Sequence, residues 1–377
     1  MNNSKRLANY ELLRIIAIFQ IVCNHIVRHG VIHAETSMPY QVWASGTEVK
    51  KFMSCLVLPG GQVGVAVFFL ISGYFISNSK REISIKKVVL QSIEYSWVIT
   101  FLMVLTNAFD KESYAFQLKE IAACLFLPIS GGLGWFITAY CVVCLMAPSL
   151  NRFIKSLNKR GFLSFILVIW MFSYTVGGLA QTSVYMIIRG VLFYCIGAYL
   201  SKYSQFIKDG KGIQTVVIMI ITIFAWMVAS YCEYKLGNME ITGEENAITY
   251  LMKIVLNSIC IPIISCLMFV MFSNLKITKR RLIDIISPHV FAIYLLHDSA
   301  FGRRFFWDMI FRVEDIYLDD IFLLCVIVIA LTVIIVCMFF DKVLNVINRL
   351  LSKSSKVSTA KLKLLGIICN NYSKDKI

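Results

Sequence analysis

The chain has 377 residues, of which 58% are hydrophobic and only 16% charged, and its formal net charge is +15. A soluble domain carries about a quarter charged residues, so this composition, with a mean hydropathy of +0.73, excludes an ordinary soluble fold. The positive charge invites a nucleic-acid reading, and its distribution along the chain removes that as well.

Apolar segments recur at about 11–28, 61–78, 89–108, 132–150, 162–179, 184–200, 213–232, 250–272, 288–302 and 321–340. Most are long enough to cross a bilayer. They predict an all-α, polytopic transmembrane helical bundle of about ten helices. Between these spans, 25 of the 37 Lys and Arg fall on one side and 9 on the other, with Arg14, Arg189 and Lys253 inside spans. That is the positive-inside pattern. It puts both termini in the cytoplasm and needs no nucleic acid, while membrane lipids with anionic headgroups attract the same basic loops. The expected division is a membrane domain over 1–341 and a basic cytoplasmic tail over 342–377, with an amphipathic piece at 344–365. Lys5 and Arg6 precede the first apolar run, but no small-residue cleavage site follows it, so it reads as a retained span rather than a signal peptide.

The first span carries Glu11, Arg14 and His25. Arg14 and His25 are eleven residues apart, about three turns plus roughly 20°, so both project from one face about 16 Å apart along the axis. An arginine in a span costs roughly 2.5–3.5 kcal/mol even on the lenient insertion scale, so such groups face a cavity or a partner. His25, His29 and His33 recur every four residues, but without a carboxylate motif and toward the end of the helix, so no metal site is expected. After an outer loop at about 29–60, whose Trp43 is expected at the membrane interface, the second span brings Gly64 and Gly73. Either close helix packing or a ligand explains those glycines. Lys80, Arg81, Lys86 and Lys87 follow, a patch suited to phosphates.

Glu94 in the third span is expected to pair with a nearby lysine. The fourth opens after a glycine-rich turn at Trp135. Cys141 and Cys144 have redox spacing inside an apolar helix, and the twelve scattered cysteines show no disulfide framework. Arg189 serves either a function or a structural pair. The acidic loop at 233–249 reads as solvated. The ninth segment is short for a span and ends in His297-Asp298, with Tyr294 one turn back and Gly302-Arg303-Arg304 following. Such a segment tilts, stops short or lines a cavity.

Four separated motifs then match one family. They are Glu11-Leu-Leu-Arg14 with His25 further along the same helix; Gly64-Val-Ala-Val-Phe68-Phe69-Leu-Ile-Ser72-Gly73-Tyr74; Trp135-Phe136 followed by Tyr140 and Pro148; and Ile293-Tyr294-Leu-Leu-His297. The chain resembles the membrane-bound acyltransferase-3 family, whose members O-acylate cell-surface polysaccharides and related glycans. The family often has paired arginines after the second motif, where this chain has Lys80-Arg81 and Lys86-Lys87. Only about 37 residues follow the last span, so a fused soluble transfer domain is not expected.

The resemblance implies a multi-pass protein of a bacterial plasma membrane. It implies an O-acyltransferase, most simply an O-acetyltransferase, of the class that transfers groups other than aminoacyl. No bound cofactor is expected. The donor substrate implied is acetyl-CoA or another acyl-CoA such as succinyl-CoA, arriving from the cytoplasm, and the acceptor is a polysaccharide or lipid-linked saccharide. His25 is then the general base, since a neutral imidazole suits that role at cellular pH. Arg14 holds the donor's polar arm, Glu11 orients Arg14, and Lys80 and Arg81 receive phosphates. His297 is a second proton-handling or oxyanion group, helped by Tyr294 or Ser72, and Trp135 belongs to the substrate-binding set. The alternative is a transporter or flippase for a polysaccharide or its lipid-linked precursor, against which stands the absence of a repeat between the two halves.

Overall fold

The computed structural model describes residues 7–34, 37–79, 85–109, 115–129, 133–177, 182–203, 212–244 and 246–353. Long apolar stretches have one way to satisfy their backbone in lipid, which is to coil, and no strand occurs among the described residues. In chain order the helices are α1 (Ala8–Val27), α2 (Glu48–Cys55), α3 (Pro59–Ile76), α4 (Lys86–Phe109), α5 (Leu118–Phe126), α6 (Trp135–Ser156) and α7 (Lys159–Gly177). There follow α8 (Thr182–Tyr203), α9 (Gly212–Thr242), α10 (Ala247–Ile254), α11 (Ile261–Ser273), α12 (Arg281–Ile286), α13 (Val290–His297) and α14 (Phe322–Lys353). Eight described helical stretches are long and apolar enough to cross a membrane. Of the ten expected segments, the fifth and the ninth are not among those eight, and the ninth is broken into α13 and the short turns on either side of it. The last helix runs unbroken to Lys353, so position 341 falls inside it.

The bundle is built around α1 and α3. Glycine lets backbones meet where lipid supplies no hydrophobic drive for helix pairing. A Cβ at Gly64 would strike the Ala17 carbonyl oxygen of α1 at 2.6 Å, and one at Gly73 would strike the Tyr194 carbonyl oxygen of α8. Gly197 of α8 meets the Leu70 carbonyl in return. Of the two explanations for Gly64 and Gly73, helix packing is the one seen. α1 itself is buried on most sides: Leu13, Ala17, Ile18, Val22, Ile26 and Val27 are wholly covered.

Several polar residues find partners that spacing along the chain does not reveal. Glu94 accepts from the Asn348 amide of α14 rather than pairing with a lysine. Arg189 donates to Gln62 Oε1 at 2.8 Å and lies over the rings of Tyr185 and Phe193, so its partners are an amide and two aromatic faces. Trp43 is 1% exposed, with its indole N–H on Ser54 Oγ at 3.0 Å, so it is a core residue beneath the 37–58 connection rather than an interfacial ring. Glu233 belongs to α9, which continues through the segment read as a solvated loop, and it pairs with Arg28 at 3.3 Å. The described cysteines are free thiols, mostly buried.

Candidate functional site

The polar residues of α1 gather at its two ends, and each end meets a cavity. At the N-terminal end Arg14 Nη1 contacts Glu11 Oε2 at 3.2 Å and Oε1 at 3.3 Å, the i,i+3 pairing that helix geometry allows. Both side chains line a cavity of about 610 Å³, with Lys87 of α4 as a second cation. Ser72, Tyr140 and Tyr294 also line it, with Phe68 and Phe136 as apolar wall. Ser72 Oγ donates to the Phe68 carbonyl of its own helix at 2.8 Å. Trp135 sits at the first position of α6, half-buried, and the rings that α6 turns to the cavity are those of Phe136 and Tyr140. Lys80 and Arg81 lie outside the described residues.

At the C-terminal end the helix widens. The His33 N–H reaches the Arg28 carbonyl five residues back at 2.9 Å, a π-type turn over Arg28–Ile32 of the kind frequent at functional sites. The expectation that the three histidines run off the helix is therefore corrected for His29, whose ring stays 5.1 Å from that of His25. Facing them is the end of α13. This helix has only eight residues because Pro288 precedes it, and because Ser299 caps the following short turn by accepting from the Gly302 N–H at 2.9 Å. The chain thus breaks at His297 and Asp298, which are 0% and 3% exposed. Irregular backbone at membrane depth is tolerated where protein or a cavity surrounds it.

The hydrogen bonds at this break fix the imidazoles. His297 Nδ1 lies 2.6 Å from the Ile293 carbonyl, which can only accept, so Nδ1 carries the hydrogen and Nε2 of the neutral ring is left as an acceptor. His25 Nδ1 is 3.0 Å from that Nε2 and 3.3 Å from Asp298 Oδ1, two acceptors, so His25 is protonated at Nδ1. Its Nε2 then keeps the lone pair. A histidine whose Nδ1–H points at a buried carboxylate is the arrangement that stabilises an imidazolium once Nε2 takes up a proton. Asp298 is held in turn by Arg303, whose Nη2 and Nε donate to the same Oδ1 at 2.7 and 3.0 Å.

His25, His29 and Asp298 also bring three ligand atoms within 4.8 Å of one another. The carboxylate missing from the sequence motif therefore comes from far along the chain. Arg303 binds Asp298 Oδ1, the oxygen 3.3 Å from His25 Nδ1 and 3.9 Å from His29 Nε2, so a divalent cation there would compete with a bonded guanidinium. The residues sequence reasoning did not place in the site are Asp298 and Arg303, whereas Lys87, read there as part of a patch suited to phosphates, lines the large cavity. The signal for the first was its position beside His297 at the end of an undersized apolar segment.

A helical membrane bundle with a buried, oriented His–Asp pair and a large basic-rimmed cavity has the equipment of a membrane acyltransferase. The family model described as an acyltransferase domain matches residues 7–340, and the chain belongs to the acyltransferase-3 family. Neither a curated protein nor a solved structure matches it.

Proposed function

We propose that the protein transfers an acyl group, acetyl in the simplest case, from a cytoplasmic acyl-CoA to a hydroxyl of a cell-surface polysaccharide or lipid-linked glycan. The observation that carries this reading is the order of parts along α1. The large cavity with Arg14, Glu11 and Lys87 lies at one end, and the His25–His297–Asp298 cluster lies at the other. Between them Tyr294 belongs to both, lining the cavity while its ring stands 6.0 Å from that of His297.

In this reading the donor enters the large cavity from the positive-inside face, with its phosphates toward Arg14, Lys87 and the basic loop that includes Lys80 and Arg81. The acceptor hydroxyl gives its proton to His25 Nε2 as its oxygen attacks the thioester carbonyl. The tetrahedral oxyanion is stabilised by hydrogen-bond donors beside it, and the buried Tyr294 hydroxyl, without a hydrogen-bond partner among the described residues, suits that role. The C–S bond then breaks, and the thiolate leaves with the proton that His25 returns. Asp298 balances the imidazolium in the interval. His297 acts by holding His25 in the productive tautomer.

The test uses purified protein in detergent, radiolabelled acetyl-CoA and the host's own surface glycan. Wild type should label the glycan, and folded His25→Ala should not. Failure of wild type to transfer from acetyl-CoA or succinyl-CoA would return the transport reading. Labelling undiminished in His25→Ala would move the base elsewhere.

A further inference from the structure

Beyond His25, α1 leads into a second, smaller cavity of about 260 Å³, lined by His29, His33, Arg303, Trp307 and Asp308. It is joined to the His–Asp cluster by two of its own walls. His29 Nε2 lies 3.9 Å from Asp298 Oδ1, and Arg303 binds that same oxygen. Of its walls, His33 is exposed, whereas Trp307 is only 1% exposed. The Trp307 indole N–H has no hydrogen-bond acceptor among the described residues. Buried donors without partners are rare and each calls for an explanation, of which a bound polar group is one.

The chemistry of the walls narrows what fits. With the imidazoles neutral, they offer one guanidinium already bonded to Asp298 and one carboxylate, Asp308. Among the described walls there is no surplus of positive charge to hold a carboxylate, sulfate or phosphate. There are instead acceptors and donors at several heights: the Asp308 oxygens, two imidazoles able to donate or accept, and the indole N–H. An array of that kind pairs with neutral hydroxyls, and an aromatic face with a polar edge suits the mixed surface of a sugar ring. The volume admits a ring rather than a nucleotide, which separates it from the large cavity at the opposite end of α1.

We propose that this cavity is the acceptor subsite and that it takes an uncharged sugar ring, whose hydroxyl is presented to His25 past His29. The proposal rests on the acyl-transfer reading above and adds the location and charge class of the acceptor. Asp308 and Trp307 bind hydroxyls of the ring that do not react, and they fix which hydroxyl reaches the base.

The experiment measures transfer from labelled acetyl-CoA to oligosaccharides released from the host's surface polysaccharide and divided by anion exchange into neutral and anionic fractions. Wild type, Asp308→Asn and Trp307→Phe are compared, with acetyl-CoA binding and size-exclusion behaviour as controls of folding. Label should enter the neutral fraction. Each variant should raise the KM for the neutral oligosaccharides about tenfold, the effect of one lost hydrogen bond, with the KM for acetyl-CoA within twofold of wild type. Trp307→Phe keeps an aromatic ring while removing the indole N–H with the rest of the five-membered ring, so it remains informative where Asp308→Asn fails to fold. An unmoved acceptor KM in a folded variant, or a rise in donor KM instead, overturns the subsite. Label entering only the anionic fraction overturns the charge class. Absence of transfer by wild type from any acyl donor is the failure of the acyl-transfer reading, and it is distinct from both.

Discussion

His25 donates through Nδ1 toward Nε2 of His297, 3.0 Å away, and His297 accepts because its own Nδ1 is committed to the Ile293 carbonyl. The Ile293 carbonyl thus sets the tautomer of His297, and His297 sets that of His25, 272 residues away, leaving the free lone pair on His25 Nε2. The first prediction follows from that order. His25→Ala should lower kcat by roughly 10²–10⁴, the usual yield of a positioned base. His297→Gln, whose amide oxygen can still accept from His25, should keep more activity than His297→Leu, which cannot. Steady-state kcat on folded variants decides it, and equal losses in Gln and Leu would remove the orienting role.

Asp298→Asn tests the second contact of His25. It takes away the charge that faces both His25 at 3.3 Å and Arg303 at 2.7 Å. Loss of the carboxylate behind a catalytic histidine costs up to about 10⁴ in kcat where the amide selects the wrong tautomer. It also strands a partly buried guanidinium. The expected result is a fall in kcat of two to four orders, with a lowered Tm and little change in donor KM. A variant that keeps half of wild-type kcat would mean that His297 alone orients the base.

Arg14 faces the large cavity, bound to Glu11 on one side. Arg14→Gln should raise the KM for acetyl-CoA about tenfold with kcat changed far less, the pattern of lost uniform binding. Dephospho-CoA thioesters should narrow the gap between wild type and variant if the guanidinium meets a phosphate. A loss confined to kcat would instead put Arg14 at the reacting carbonyl.

Gly73→Ala places a methyl against the Tyr194 carbonyl of α8, and Gly197→Ala does the same at Leu70 of α3. Overpacking of this kind costs roughly 1–3 kcal/mol. Both variants should lower the Tm in detergent, and the double variant should show less than the sum, since the first forces apart the helices that the second would crowd. Additive losses would show that the two contacts yield independently.

The parts of this site that follow a helical repeat are readable in the sequence. Glu11, Arg14 and His25 share a stripe because 3.6-residue periodicity puts them there, and the Glu11–Arg14 pair formed as that spacing requires. The shortness of the ninth segment announced a break at His297 and Asp298. What periodicity does not encode is which segment faces which. The meeting of His25 with Asp298, of Glu94 with Asn348 and of Arg28 with Glu233 depends on tertiary packing across two to three hundred residues. His29 stays beside His25 as four-residue spacing on a helix face requires, and what the sequence did not show is that the helical turns continue, widened, over Arg28–Ile32.

The two cavities on either side of His25 and Tyr294 also bear on the membrane's electrical integrity. A water-filled passage through a bilayer protein conducts protons, and each charge crossing moves through about 2.3 kcal/mol per 100 mV. Here the Tyr294 ring, set edge-on against Phe136 at 4.9 Å and 6.0 Å from the ring of His297, stands where the large cavity meets the imidazole cluster. A residue at position 294 small enough to let the two chambers join is therefore expected to tax the host's ion gradient whether or not any acyl group moves.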